Sequence, residues 1–552
     1  MGAAEIDSKV LWWRRTVFYE IYMPSFCDGN GDGVGDFVGI TSKLDDLKTL
    51  GTDGIWLTPF YKSPKVDNGY DIADYYNMDP DYGTMKDFDA FIEAAHQRNI
   101  RVIVDLVLNH TSSSHPWFQA SKSSKDHPKR DWYIWKDPVD EGMPNNWESF
   151  FGGPAWDYDE ASGQYYYHAF AKEQVDLNWA NPEVREAMKE VMGFWLDKGV
   201  DGFRLDVINF LKVSAQFPDN PYQDNGEQDH RYDKDQDGIL DTIREICEFV
   251  HQREGVFMVG EVGSEDMSLL KRYSGNGLLD VVFNFNLGSQ EHYQPNQLMD
   301  QILLMEQVHR PDQVPTLFFS SHDMARHISR FGEGNPELEV LRAKLMATFM
   351  LTGKGVPFLY YGEEVGMRDY YCPCIEDMRD IQGLTHYQLA KAEGLSEEEA
   401  LRRANEKSRD KSRTPMQWDG SEYGGFSNVK PWIAMGPGHN QINIEAERTK
   451  LDSIYIYYQQ LLMLRKDHPS LAEGGYSNIE CRGNTLIYTK NISEDVSFVA
   501  LNFGAESVEI SLAEVENLSL QFAIASQPLE DDQTDSKIIL QGHTGAVWIS
   551  RK

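Results

Sequence analysis

The sequence predicts an α/β protein: a (β/α)8 TIM barrel with an inserted small domain after its third strand and a C-terminal antiparallel β domain. Short, nearly continuous apolar runs alternate with amphipathic segments of helical length, which is typical of a parallel sheet buried on both faces. Eight such strand–helix units fit a closed barrel. The alternation is interrupted after the third and the eighth run, and from about Gly475 it gives way to short alternating strands.

The barrel units follow one another in two blocks of the chain, residues 1–110 and 180–474. Each predicted strand is bounded by turn residues and followed by a stretch with helical spacing. The predicted strands are 17–21, 54–57, 101–106, 202–206, 257–261, 281–285, 316–320 and 356–360. The predicted helices include 40–50, 87–97, 181–198, 241–252 and 337–350.

Two insertions and a terminal segment lie outside this pattern. Residues 111–179 are too long and too rich in aromatic residues for a plain loop, so they are interpreted as an inserted domain B. Residues 369–426 form a second, irregular insertion after the eighth strand. Residues 475–552 are predicted to be a C-terminal β-sandwich domain, with strands at 485–489, 496–502, 508–512 and 546–549.

The composition excludes several classes of protein. The 552 residues include 88 acidic and 52 basic side chains, a formal charge of −36, so nucleic acid or an anionic membrane is not expected as a partner. No window of about 18 apolar residues is present, so no membrane span is expected. Residues 1–10 lack the apolar core of a signal peptide, and five cysteines do not indicate a disulfide framework. These features predict a cytoplasmic enzyme with free thiols.

Polar side chains end four of the predicted strands. Asn109 and His110 end the third strand, Arg204 and Asp206 the fourth, Glu261 the fifth, and the string 321–323 follows the seventh. One Asp at a strand end is more often a helix cap, but barrel topology brings all four ends to the same rim. Three carboxylates on one rim suit glycoside hydrolysis, in which one carboxylate attacks the anomeric carbon and another protonates the leaving oxygen.

These strings resemble the motifs of the α-amylase superfamily, glycoside hydrolase family 13. The matching strings are 105–110 (DLVLNH), 202–209 (GFRLDVIN), 259–262 (VGEV), 321–323 (SHD) and 174–178 (QVDLN). Residues 67–70 (DNGY) and 413–418 (RTPMQW) indicate the oligo-1,6-glucosidase, dextran glucosidase and α-glucosidase group. One departure is Ser321, where the family usually has Asn.

The resemblance implies a role in catalysis for four residues. Asp206 is expected to be the nucleophile, Glu261 the general acid/base, and Asp323 the third carboxylate, which holds the distorted sugar. Arg204 lies two residues before Asp206 on the same strand face, and it is expected to keep the nucleophile ionised.

Other matching residues are expected to bind the sugar. His110 and His322 would donate hydrogen bonds to its hydroxyl groups. Asp67 and Arg413 would grip the non-reducing end, which closes the pocket and makes cleavage exo. The expected aromatic walls are Tyr70, Phe151 and Phe170, for each of which a purely structural place in the core is the alternative interpretation.

Val207 directly follows the nucleophile, so it is expected beside the leaving sugar. In the resembling family, Val at this position accompanies α-1,6 hydrolases, whereas Thr or Ala accompanies α-1,4 enzymes. The alternative is that Val207 only suits a strand end, and that the loop from Asp229 and His230 sets linkage specificity.

The string 28–36 (DGNGDGVGD) places oxygen ligands at alternate positions, which suits a hard cation. The resemblance implies a structural Ca²⁺ (or Mg²⁺) held by Asp28, Asn30, Asp32, the Val34 carbonyl and Asp36. The alternative is a turn without an ion. Residues 233–238 have a similar pattern but precede a predicted helix, so they are interpreted as acidic capping of its N-terminus.

The predicted function is an exo-acting, retaining α-glucosidase for short α-glucosides, with α-1,6 linkages (isomalto-oligosaccharides) favoured. The enzymatic alternatives are an α-1,4-preferring α-glucosidase, a trehalose-6-phosphate hydrolase, a sucrose isomerase and a trehalose synthase. A non-catalytic, glycosidase-like subunit of a transporter is a remote alternative, because such a subunit would carry a membrane anchor and lack the carboxylates. The expected partners are small oligosaccharides, and the chain is expected to be a monomer.

Overall fold

The computed structural model describes residues 11–310, 313–511, 520–529 and 537–550. Eight parallel strands form one sheet in the order β6-β5-β4-β3-β2-β1-β8-β7. Their bounds are Phe18–Ile21 (β1), Gly54–Leu57 (β2), Arg101–Val107 (β3), Gly202–Asp206 (β4), Phe257–Gly260 (β5), Val281–Val282 (β6), Thr316–Leu317 (β7) and Val356–Tyr360 (β8). This order confirms the predicted (β/α)8 barrel.

The barrel closes between its two shortest strands through a side chain. The Thr316 hydroxyl donates to the Val282 carbonyl at 3.3 Å and accepts the Asn284 amide at 2.9 Å. Both strands were predicted to run to five residues. After β6 the Phe283 amide still bonds to the Gly260 carbonyl, as in a parallel ladder, and the chain then enters the short helix Phe285–Gly288, which ends that strand.

Aromatic rings fill the barrel below the strand ends. Phe18 stacks between Phe257 and Phe358, with ring centroids 5.1 and 4.9 Å apart. Trp56 and Ile103 pack into the same buried cluster. This packed floor leaves the C-terminal ends of the strands as the open face of the barrel.

Helices surround the sheet, and the predicted helix at 40–50 is two helices in the structure. The Asp36 carboxylate accepts the Gly39 amide and starts the first of them early, and a break at Lys43 separates the pair. Helices of five residues or more, up to β8, are Phe37–Ser42, Leu44–Leu50, Met85–Gln97, Pro116–Ser123, Pro182–Asp197, Ile239–Val250, Pro295–Val308, His327–Gly332 and Pro336–Thr352. Shorter α-helical turns are Met23–Phe26, Met267–Leu270 and Phe285–Gly288.

The insertion after β3 starts and ends on one two-stranded ladder. His110–Ser112 pairs antiparallel with Gln174–Asp176, so the chain returns to the barrel where it left it. Trp135–Lys136, Gln164–Tyr167 and Trp156–Asp159 form a three-stranded sheet inside the insertion. Before it, Tyr61–Lys62 pairs with Asp74–Met78.

The segment after β8 is more regular than predicted. Ile381–Ala392 and Glu397–Lys407 are helices that pack against each other, and the second begins with a capping box at Ser396. Further helices along the chain are Ile444–Arg448, Ile454–Asp467 and Pro469–Ala472. The described helices include none that is long and apolar enough to span a membrane.

The C-terminal part is an antiparallel β structure. Its strands are Gly475–Arg482, Thr485–Ile492, Asp495–Asn502, Val508–Ser511, Leu520–Ala525, Lys537–Leu540 and Thr544–Ser550, of which the first, fifth and sixth were not predicted. The first and the fifth contain no buried residue, and the sixth is only four residues long. Leu512, the predicted end of one strand, and the predicted absence of a leader at 1–10 lie outside the described residues.

One buried lysine, whose pKa is lowered well below its usual value by burial, joins this part to the barrel. The Lys490 ammonium donates to the carbonyls of Thr352, Gly353 and Leu471 at 3.0, 3.0 and 2.7 Å, and its side chain is fully buried. The first two carbonyls end the helix Pro336–Thr352, where a positive charge is favourable.

Candidate active site

Adjacent barrel strands deliver the charged groups of the site. Arg204 on β4 is in register with Asp105 on β3, and Asp206 ends β4 on the same face. Glu261 follows β5, and Asp323 lies in the loop after β7. The strand-end residues that the sequence predicts to converge are therefore brought to one rim.

The guanidinium of Arg204 is the centre of this cluster. It donates to both oxygens of Asp105 at 2.9 and 3.1 Å, to Asp206 Oδ1 at 2.6 Å and to Glu261 Oε2. Arg204 is only 2% exposed, so these charge-assisted bonds lie away from bulk water. One arginine thus fixes the positions of both predicted reacting carboxylates.

Burial raises the pKa of both reacting carboxyl groups, and the Arg204 charge opposes this. The pKa of Asp206 rises to about 7 and that of Glu261 to about 8. The proton that the pair retains near neutrality therefore resides on Glu261. This is the state that a nucleophile and a general acid require.

The third carboxylate, Asp323, is stabilised in its ionised form. Arg413 donates to Asp323 Oδ1 at 3.0 Å and Arg409 approaches the same atom at 3.4 Å. Despite burial, the neighbouring His322, Arg409 and Arg413 hold the pKa of Asp323 well below its usual range. Asp323 is therefore an anion on the floor of the site.

His322 is positioned by a glutamate that the sequence analysis missed. Glu20 Oε1 lies 2.5 Å from His322 Nδ1 and also accepts the His322 amide at 3.2 Å. On the other side of the ring, Nε2 lies 2.6 Å from the Tyr70 hydroxyl, which donates to Asp105 at 2.8 Å. The Tyr70 and His322 rings stack at 5.4 Å. The sequence signal that could have revealed it is a Glu inside the otherwise apolar strand β1.

The blind end of the site is built by Asp67 and Arg409, which corrects one prediction. Arg409 Nη2 lies 2.5 Å from Asp67 Oδ1 and 2.5 Å from Asp380 Oδ1. Gln174 donates to the other oxygen of Asp67 at 3.0 Å. Arg413, which was predicted to grip the non-reducing end together with Asp67, has no hydrogen bond or ion pair to Asp67 in the described part of the chain. It is fully buried and binds Asp323 and the His322 carbonyl instead.

The groups above enclose a cavity of 190 Å³. It contains most of the predicted substrate residues, among them all three predicted aromatic walls and Val207, together with Gln174, Gln382 and Arg409, which were not predicted. The lining residues are Asp67, Tyr70, His110, Phe151, Phe170, Gln174, Asp206, Val207, Glu261, Asp323, Gln382 and Arg409. Its volume is below the ~300–1,000 Å³ of pockets for drug-sized ligands, so it suits a single sugar ring.

Val207 has an unusual backbone at the edge of this cavity. Its φ of 37° and ψ of 49° are left-handed, which costs a β-branched residue of order 1–3 kcal/mol. The interpretation of Val207 as a residue that merely suits a strand end is therefore wrong. Its conformation leads the chain into the turn Ile208–Phe210, and the Phe210 ring lies 5.3 Å from that of Phe170, which lines the cavity.

The candidate metal loop has the right kind of donors, but they are bound to backbone amides. Asp28 accepts the amides of Gly31 and Gly33 at 2.6 and 2.8 Å, and Asp36 accepts that of Gly39 at 2.7 Å. Asn30 and Asp32 bind each other. Among the described residues no group of three or more His, Cys, Asp or Glu could hold a metal ion. An all-oxygen donor set, completed by the Val34 carbonyl, would fit Ca²⁺ only after these side chains rotate.

The second acidic string does not cap a helix with its side chains. The helix Ile239–Val250 begins after Gly238 without a side-chain cap. Asp233 instead lies 2.7 Å from His230 Nδ1, and Asp235 accepts Asn209 at 3.1 Å and the Tyr273 hydroxyl at 2.6 Å. These contacts hold the loop against the residues that follow Asp206.

Known proteins share this sequence and fold. The alpha-amylase catalytic-domain family model matches residues 20–474, which include the whole cavity. The oligo-1,6-glucosidase of Parageobacillus thermoglucosidasius is 40% identical over 513 residues, covering 90% of this chain and 91% of the relative. The trehalose-6-phosphate hydrolase of Bacillus subtilis (strain 168) is 41% identical over 509 residues, covering 89% and 90%. The crystal structure of trehalulose synthase MutB from Pseudomonas mesoacidophila MX-45 superposes with a TM-score of 0.88 at 34% identity, covering 98% and 99%.

Proposed function

Because this chain belongs to the alpha-amylase family of glycoside hydrolases, we propose that it is an exo-acting, retaining α-glucosidase of short α-glucosides. It releases glucose from the non-reducing end, and its preferred substrates are α-1,6-linked isomalto-oligosaccharides. Relatives named as oligo-1,6-glucosidases support this substrate class.

The observation that carries the proposal is the blind end of the cavity. The Asp67–Arg409 ion pair and the Gln174 amide close the cavity beyond the sugar that reacts. A sugar chain therefore has no room to continue past its non-reducing end, so only the terminal glucose reaches Asp206. The side near Val207 remains for the leaving sugar.

The geometry supports a double displacement. Ionised Asp206, the form that Arg204 favours, attacks the anomeric carbon while protonated Glu261 gives its proton to the leaving oxygen. Glu261, now ionised, then takes a proton from water, which cleaves the glycosyl ester and regenerates both carboxyl groups. Asp323, an anion between Arg409 and Arg413, binds sugar hydroxyls and stabilises the developing positive charge.

The linkage preference rests on Val207. Its branched apolar side chain narrows the side of the leaving sugar and offers no hydrogen bond. An α-1,6 linkage carries an extra rotatable methylene group, so its leaving sugar can swing past this wall. An α-1,4 linkage holds the second ring close to the valine methyl groups.

The direct test is the release of glucose from isomaltose, maltose, sucrose, trehalose and trehalose 6-phosphate. We expect the highest kcat/KM on isomaltose, and α-glucose as the first product in an NMR time course. First-formed β-glucose would contradict the double displacement. A preference for maltose would reject the linkage, and a preference for trehalose 6-phosphate or isomerisation of sucrose would favour the activities of other relatives.

The proposal also includes the surroundings of the enzyme. We propose a cytoplasmic monomer that holds a structural Ca²⁺ in the loop 28–36. Free thiols at all five cysteines are consistent with a reducing compartment. Size-exclusion chromatography with light scattering, cell fractionation and elemental analysis test these three points, and a stable dimer, secretion or an absence of bound metal would each refute one of them.

A further inference from the structure

A second cavity, larger than the first, lies between the inserted domain and the segment that follows β4. Its volume is 310 Å³, within the ~300–1,000 Å³ typical of small-molecule sites. From this cavity and its charges, we propose that it is a second ligand site, which binds a phosphorylated monosaccharide. Neither the reaction nor the substrate specificity proposed above accounts for this cavity.

The walls of the cavity suit the apolar face of a sugar ring. Five aromatic side chains and several aliphatic ones line it, and polar groups lie between them. The aromatic residues are Tyr133, Trp135, Trp179, Phe210 and Phe217. Tyr133, Trp179 and Phe210 are almost completely buried by the surrounding residues, so the packing holds their rings in place.

Two lysines give the cavity an affinity for an anion. Lys136 and Lys212 both line it, and neither forms an ion pair or hydrogen bond through its ammonium group in the described part of the chain. Lys136 lies over the Phe217 ring at 3.8 Å, and burial alone lowers its pKa. The Lys212 ammonium lies beside Gly238, where a Cβ would come within 2.6 Å of it.

Two carboxyl groups also line the cavity, and neither neutralises the lysines. Asp176 is buried, and its oxygens accept the Asn109 amide at 2.9 Å and the Ala169 backbone amide at 2.9 Å. Burial raises the pKa of Asp176 to about 7, so it is partly uncharged near neutrality. Asp131 is exposed at the rim, where its carboxylate is screened by water.

The backbone of Phe217 supports a functional role. Its φ of 50° is left-handed, which an aromatic residue rarely adopts. Asn145 holds its carbonyl at 3.1 Å, and its ring packs on Trp147 at 5.5 Å. Strain of this kind persists only where the surroundings enforce it, and it is concentrated at functional sites.

The second cavity shares one wall with the active site. Phe210 lines the second cavity, and its ring lies 5.3 Å from that of Phe170, which lines the first. Phe210 also belongs to the turn that directly follows Asp206 and Val207. Phe210 is thus a shared wall between the proposed ligand site and the active site.

Titration of the intact enzyme with glucose 6-phosphate tests the proposal, with calorimetry and thermal unfolding as readouts. We expect binding that raises the Tm, and about tenfold or greater loss of affinity in Lys136→Met/Lys212→Met, since each lysine would contribute a charge-assisted hydrogen bond. Lys136→Arg/Lys212→Arg should retain most of the affinity. Lys86→Met, an exposed lysine on the helix Met85–Gln97, should behave as the wild type.

Four outcomes would overturn the proposal. Binding that survives in Lys136→Met/Lys212→Met would place the ligand elsewhere, for example in the first cavity, which neither lysine lines. If glucose bound as tightly as glucose 6-phosphate, the phosphate group would not be recognised. If inorganic phosphate bound as tightly, the aromatic rings would not contribute to binding. Absence of any binding would reject the site. That result would not bear on the activity on isomaltose, which tests the proposed function separately.

Discussion

At the scale of single residues, the geometry of the site depends on which arginine forms an ion pair with which carboxylate. Two arginines lie four positions apart in the string 409–413, and both are fully or almost fully buried. Arg409 closes the blind end with Asp67, whereas Arg413 holds Asp323 on the floor. The two arginines should therefore affect different kinetic constants.

Arg409→Met should raise KM on isomaltose by about 10–100-fold, because charged hydrogen bonds of about 1.5–3 kcal/mol to the terminal sugar and to Asp67 are lost. Arg413→Met should instead lower kcat, since Asp323 loses its neighbour and its orientation. Steady-state kinetics of both variants measure the difference. Arg402→Met, at an exposed position of the helix Glu397–Lys407, is the control. Equal effects of the two variants on both constants would refute this division of roles.

Val207→Thr should lower the preference for isomaltose over maltose by about tenfold. Thr has nearly the same shape and the same β-branch, so the left-handed backbone is equally strained and the Tm should not change. The added hydroxyl can bond the leaving sugar, which is worth about 0.5–1.5 kcal/mol. The ratio of kcat/KM on the two sugars measures the effect, and an unchanged ratio would show that another element sets the linkage.

The pH dependence of kcat/KM should be bell-shaped, with a narrow maximum between about 7 and about 8. Below it Asp206 gains a proton and loses its nucleophilicity, and above it Glu261 loses the proton that the leaving oxygen needs. Rates measured over this range, with a return to neutral pH as a control for unfolding, test this. An acid limb that is absent down to the ordinary pKa of Asp would contradict the raised pKa of Asp206.

The sequence predicted the residues whose place follows from one strand and failed where partners come from distant segments. Asp206 and Arg204 are two positions apart on β4, so spacing alone places them on one face. The pairing of Asp67 with Arg409 spans 342 positions and depends on how the helices after β8 pack. Glu20 was missed for the same reason, because its partner His322 lies 302 positions away.

At the scale of elements, the loop 28–36 joins the start of the barrel to the segment after β8. Asp28 accepts the Ser427 hydroxyl at 2.6 Å, and its backbone amide donates to the Phe426 carbonyl at 2.9 Å. The carboxylates of Asp28, Asp32 and Asp36 repel one another within this loop. A cation would relieve that repulsion without taking part in catalysis.

Chelation should therefore lower the Tm while kcat at low temperature stays unchanged, because an ion bound only to the folded state stabilises it by mass action. Thermal unfolding with and without EDTA, followed by addition of Ca²⁺, measures the effect. Asp32→Asn is the matched variant, and it should reduce the response to EDTA. An identical melting curve after thorough chelation would favour a turn without an ion.

At the scale of the whole molecule, the barrel and the C-terminal β structure share buried polar contacts. Lys490 ends the helix Pro336–Thr352 from across the interface. Arg465 binds the Leu351 and Leu471 carbonyls at 2.9 and 2.7 Å and is also buried. If the Lys490 or the Arg465 side chain is removed, carbonyl groups at this helix end therefore lose a hydrogen-bond donor in a buried place.

Lys490→Met should lower the free energy of unfolding by about 2–4 kcal/mol, because buried carbonyls left without a donor cost about 1–3 kcal/mol each and some of them relax. Denaturant unfolding followed by circular dichroism measures the loss. Lys537→Met is the control, since Lys537 is exposed and pairs with Glu509 at the surface. Equal stability of the two variants would show that the interface does not depend on Lys490.

The two-stranded ladder at the base of the insertion has a consequence for how this enzyme can diverge. The two carboxyl groups proposed to react, Asp206 and Glu261, stand at the ends of barrel strands. Phe151, Phe170 and Gln174 instead reach the cavity from a segment that leaves and re-enters the barrel at one point. The segment that shapes the cavity and the strands that carry the reacting carboxyl groups are thus separate parts of the chain. A lineage can lengthen, shorten or replace the piece beyond His110–Ser112 and acquire a new substrate while its reaction stays the same.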